Sequence, residues 1–157
     1  MQTKEQKIPR KIETAVIVGA GIMGHGFAQL LAMNKIEVFL VDQSVEFLDR
    51  ARGWIVNNLD YMIELGKLNT SGKETVLSAI NFTTDLVGNL PKADYVLEAV
   101  SEKFELKRSI WHIIGQKASA GAILASNTSS YDIILVRTYP EAPIPIRISQ
   151  RQGSSSS

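Results

Sequence analysis

The chain has 157 residues, 45% of them apolar, which is enough for one domain with its own core. Seventeen Lys and Arg against sixteen Asp and Glu leave a net charge of +1 without a clustered basic face, which argues against nucleic acid as a partner. No apolar run approaches the roughly 20 residues that cross a bilayer, the opening MQTKEQKIPRK lacks a secretory segment, and there is no cysteine. The expectation is a cytoplasmic chain with no membrane partner, no disulfide or thiolate chemistry and, with two histidines far apart, no metal.

After a polar arm at 1–11, Thr14 to Val18 is a β-branched run that stops at glycine, as a buried parallel strand does. A helix from about Ile22 to Asn34 follows, and Ile36 to Val41 is again strand-like and ends at Asp42. Ser44 caps a long helical segment at 45–68, with apolar residues at helical spacing, Gly66 and NTSG end it, and Lys73 to Ile80 forms the second arm of a helical hairpin. Further strands are expected at Ile80 to Thr84, Tyr95 to Val100 and Ala122 to Ser126, with a helix over Glu102 to Gln116 between the last two. Alternation of this kind predicts an α/β fold, a doubly wound, mainly parallel Rossmann sheet over 12–137 with the hairpin inserted after the second strand. From Thr138 to Ser157 the chain holds three of its five prolines and ends in serines, so that tail is expected to be partly disordered.

The stretch VIVGAGIMGHG places four glycines in eight positions directly after the first strand. Gly19, Gly21 and Gly24 fit GxGxxG: the first permits a tight turn, the second lets backbone approach a pyrophosphate, and the third lets helix and strand pack closely. First-turn N–H groups around Gly21, Ile22 and Met23 then face the phosphates. Asp42, 18 residues past Gly24, stands where a carboxylate accepts from the adenine ribose and repels a 2′-phosphate, so NAD is expected over NADP.

Three blocks, VIVGAGIMGHGFAQLLA, ADYVLEAVSEKFELKRSIW and ILASNTSS, resemble the L-3-hydroxyacyl-CoA dehydrogenase family from about Ile12 to Ser130. The family oxidises the 3-hydroxyl of an acyl-CoA with NAD as hydride acceptor, within fatty acid metabolism. Its NAD-binding domain is followed by a helical domain that pairs subunits and completes the substrate cleft. The resemblance implies that Glu102, Lys107 and Ala99 lie on the nicotinamide side of the cofactor. It also implies that Ser129 hydrogen-bonds the reacting substrate oxygen, with Asn127 nearby. Read without it, Glu102 and Lys107 are a solvent-facing pair near a helix start and SNTSS is a helix cap.

The resemblance stops after Ser130. The family's HFFNP-like block, whose His is the general base, has no counterpart here; a crude register puts Arg147 at that place, and Arg stays protonated. His25, on the first helical turn, and His112, beside Trp111 in mid-helix, are poorly placed to substitute. The expectation is a C-terminally truncated or frame-shifted member, or its isolated NAD-binding domain, that binds NAD and is inactive alone. Acyl-CoA becomes a partner only if a second domain or chain is supplied, with Lys67 and Lys73 as candidate contacts for CoA phosphates. The apolar run at 131–136 is open to two other readings, homodimerisation or, in a non-catalytic NAD-responsive module, pairing with another chain. A different hydroxyacid dehydrogenase of the same fold is a third possibility.

Overall fold

The computed structural model describes residues 11–128. The expected boundary at residue 137, the tail and the run at 131–136 lie outside them.

Five strands form one wholly parallel sheet in the order β3-β2-β1-β4-β5: β1 (Thr14–Val18), β2 (Glu37–Val41), β3 (Ile80–Thr83), β4 (Tyr95–Glu98) and β5 (Ile123–Ser126). The central strands are apolar at nearly every position because both faces are covered, and successive side chains serve opposite faces. Ile17, Leu40 and Leu97 point into one core, with Ala28 and Ala32 of α1 (Ile22–Met33) and Leu48, Ala51, Ile55 and Leu59 of α2 (Val45–Glu64). Val16, Val18, Val41 and Val96 point into the other, with Leu90, and with Trp111 and Ile114 of α5 (Phe104–Lys117).

The hairpin after β2 consists of α2 and α3 (Thr70–Ser78). Ser44 Oγ accepts from Phe47 N at the start of α2, as its position predicts. The helix stops at Glu64, where Gly66, the expected terminator, takes φ +68 and turns the chain. The second arm begins at Thr70, before Lys73, because Asn69 Oδ1 accepts from Gly72 N and caps it; it ends at Ser78, since Ile80 already pairs with Val38 in the sheet. Lys73 Nζ pairs with Asp60 across the hairpin. A short helix α4 (Leu86–Asn89) and a 3-10 turn at Leu90–Lys92 went unforeseen; Asp85 Oδ1 caps the first by accepting from Gly88 N at 2.8 Å. The strand expected to reach Val100 ends at Glu98, for a reason that belongs to the site.

Candidate cofactor site

The carboxyl ends of β1, β2 and β4 surround a cleft of about 400 Å³. Between β1 and α1, Gly19 adopts φ +107 while its N–H donates to Val41 O at 2.8 Å. A Cβ there would lie 2.7 Å from Ala99 O, and one on Gly24 would lie 1.8 Å from Gly19 O. Both glycines are therefore demanded by the protein's own packing, one by conformation and crowding, the other by the close seating of α1 on the turn.

Gly21 is different. Its φ of −75° is open to any residue, and a Cβ on it would meet no atom of the described residues within 4 Å. The surface it leaves bare faces the cleft, as suits a bulky anion lying against backbone. Among the described residues no side chain caps α1, and Ile22 and Met23 are 76% and 49% exposed, which leaves the first turn open to an acceptor from the cleft. His25 is occupied locally: its Nδ1 lies 2.9 Å from Gly21 O and its ring 4.7 Å from that of Trp54.

Asp42 closes the β2 side. One carboxylate oxygen accepts from Ala20 N at 2.9 Å and the other from Ser44 N at 3.0 Å, which fixes the side chain against the glycine turn. Each oxygen keeps a lone pair for a hydroxyl from the cleft. Phe47 and Leu86 add apolar wall on this side; Ala99 and Val100, then Leu106 and Ile110 of α5, add it on the other.

Under the Ala99–Val100 wall sits a group that the sequence reading did not single out. Glu98, 0% exposed, ends β4, and its carboxylate receives four donors. Val100 N (2.9 Å) and Lys107 Nζ (2.8 Å) reach Oε1, while Trp111 Nε1 (3.3 Å) and Ser126 Oγ (2.6 Å) reach Oε2. Val100 thus gives its N–H to a side chain rather than to a neighbouring strand, which is why β4 ends two residues early. Lys107, 1% exposed, also approaches Val100 O at 3.4 Å and Glu102 Oε1 at 3.5 Å, and Glu102 Oε2 accepts from Thr128 Oγ1 at 2.9 Å. The cluster is fully satisfied, as burial of charge requires: no buried side-chain polar atom among the described residues lacks a partner.

Gly19, Gly21, Asp42 and Ala99 therefore line one cleft, with Gly24 packed behind the turn. Glu102 and Lys107 do meet, but Lys107 is buried with Glu98 rather than solvent-facing. Asn127, half-buried, follows β5 and its N–H donates to Glu98 O at 2.8 Å. Ser129 lies outside the described residues. His112 is exposed on α5 with its Nε2 3.1 Å from Gln116, and Lys67 is exposed beyond α2. No metal-ligating cluster and no helix long and apolar enough to cross a membrane occur among the described residues. Glu98 had one visible sign, a carboxylate inside the otherwise apolar strand YVLEAV, which needs a buried partner.

A parallel sheet whose strand order reverses between β1 and β4, a glycine turn there and an acid ending β2 define a dinucleotide-binding Rossmann domain. Residues 14–141 match the family described as "3-hydroxyacyl-CoA dehydrogenase, NAD binding domain", and the chain belongs to it, with NAD as the domain's cofactor. A probable 3-hydroxybutyryl-CoA dehydrogenase of Deinococcus radiodurans is 42% identical over 127 residues, 81% of this chain and 45% of that protein. The crystal structure of the (S)-3-hydroxybutyryl-CoA dehydrogenase of Ralstonia eutropha matches with a TM-score of 0.76 at 35% identity, over 80% of this chain and 44% of that one. That of the Escherichia coli 3-hydroxybutyryl-CoA dehydrogenase gives 0.81 at 31% identity, over 88% and 29%. The chain thus spans less than half the length of these relatives.

Proposed function

We propose that the chain is the cofactor-binding part of a cytoplasmic NAD-dependent dehydrogenase acting on the 3-hydroxyl of acyl-CoA, and that its 157 residues hold NAD without turning substrate over. The observation that carries the first half is the bare backbone at Gly21 beside an anchored Asp42 in one cleft. In this reading the pyrophosphate lies over Gly21 and the first turn of α1, and Asp42 takes the adenine ribose. Ala99 and Glu102 border the nicotinamide half with Lys107 buried behind them, and Ser129 with Asn127 serves the substrate oxygen. NAD supplies the hydride acceptor; the chain binds and orients it and walls it from water. The domain runs over 12–137.

The second half rests on proton chemistry. Oxidation of an alcohol needs a base within hydrogen-bond reach of the hydroxyl. The two histidines are His25 and His112, whose rings lie against Trp54 and Gln116, and no histidine follows position 112. By the family resemblance the base is the histidine of an HFFNP-like block that these residues do not contain, so in this reading the base and the rest of the acyl-CoA cleft come from another segment or chain.

Calorimetric titration with NAD and NADP, followed on the same sample by an assay with acetoacetyl-CoA and NADH, tests both halves. NAD binding in the micromolar range or weaker, weaker NADP binding and no turnover are the expected results. Absence of NAD binding overturns the first half, and turnover overturns the second.

A further inference from the structure

We infer that Glu98 is the positioning residue for the nicotinamide half of the cofactor, acting through the backbone and side chains it clamps and not by touching the ligand. This rests on the NAD reading above. Asp42 at the end of β2 fixes the adenosine end and the glycine turn after β1 fixes the pyrophosphate, so the other half of the dinucleotide runs toward the carboxyl ends of β4 and β5. Two segments leave the sheet there, Ala99–Ser101 after β4, which lines the cleft, and Asn127–Thr128 after β5.

Both segments are set by Glu98. Its Oε1 holds Val100 N at 2.9 Å and so turns the Ala99–Val100 wall out of the sheet, where Ala99 O comes within 2.7 Å of the place a Gly19 Cβ would take. Its Oε2 holds Ser126 Oγ at 2.6 Å, and its carbonyl receives Asn127 N at 2.8 Å, which fixes the departure of the second segment. The same carboxylate pins Lys107 Nζ at 2.8 Å, and Lys107 in turn approaches Glu102, which receives Thr128. One buried side chain thus ties β4, α5 and β5 together directly beneath the surface that the nicotinamide half reaches. A purely structural anchor of the sheet needs no such convergence at the mouth of the cleft; a hydrophobic residue would fill the volume without the desolvation cost of the pair.

The test compares NADH with ADP-ribose, which carries the adenosine and pyrophosphate but no nicotinamide. Affinities are measured by titration on the parent and on Glu98→Gln, alongside the fluorescence of bound NADH, which reports the surroundings of the reduced ring. Loss of charge from a site with four donors is expected to weaken NADH about tenfold and shift its bound fluorescence, with ADP-ribose changed by no more than about twofold. Equal losses for both ligands, or none, overturn the positioning role while leaving the NAD reading intact. A parent that binds neither ligand overturns both. Should Glu98→Gln not fold, Ser126→Ala removes only one of the four donors; a selective loss of NADH affinity of about threefold supports the inference, and a uniform loss or none overturns it.

Discussion

Gly24→Ala is expected to unfold or severely destabilise the domain, whereas Gly21→Ala leaves it folded and unable to hold NAD well. A methyl group on Gly24 would have to occupy space 1.8 Å from Gly19 O, a backbone atom of a turn itself crowded against Ala99. Neither partner has a flexible end to move, so α1 must lift from the sheet, at a cost of about 3 kcal/mol or more. The methyl of Gly21→Ala meets nothing among the described residues, and alanine at a helix N-cap changes stability by at most about 1 kcal/mol. In the proposed reading it stands where the pyrophosphate lies against backbone, and NAD affinity should fall by about two orders of magnitude, or about 2.7 kcal/mol. Denaturant unfolding and NAD titration of the two variants separate the effects. Parental stability in Gly24→Ala would mean that the turn and α1 are not in tight contact. Parental NAD affinity in Gly21→Ala would remove the pyrophosphate from that place.

That contrast also marks what the sequence could reveal. Gly19, Gly21, Gly24 and Asp42 were legible because their roles are local: a turn, a helix start and a strand end follow one another within a strand–helix–strand unit, so spacing alone orders them. The hairpin was legible from apolar periodicity and the end of its first arm from Gly66, whereas the start of its second arm was not, since the Asn69 cap sets it. Glu98 was not assigned a role because its partners stand at Val100, Lys107, Trp111 and Ser126, and only the packing of β4, α5 and β5 brings them to one carboxylate. For the same reason Lys107 reads as surface charge in sequence and is buried in the fold. Helix α4 escaped because four residues are too few to display a period.

Replacing Asp42 is expected to abolish the preference for NAD over NADP. A carboxylate about 5 Å from a phosphate at an effective dielectric of about 20 contributes repulsion of about 3 kcal/mol per unit charge, so the parent should prefer NAD by about two orders of magnitude. In Asp42→Ala that repulsion and the proposed ribose hydrogen bonds vanish together: NAD weakens by about tenfold or more, and the two cofactors converge. The same change strips acceptors from Ala20 N and Ser44 N, so part of the NAD loss comes from a loosened turn. Asp42→Asn separates the contributions, because it removes the charge and keeps one oxygen to accept a backbone N–H. If charge governs the choice, Asp42→Asn loses its discrimination against NADP as fully as Asp42→Ala while retaining more NAD affinity. If NADP stays excluded in both variants, the exclusion is steric, and its source is the wall formed by Gln43 and Phe47 beside the ribose rather than the carboxylate.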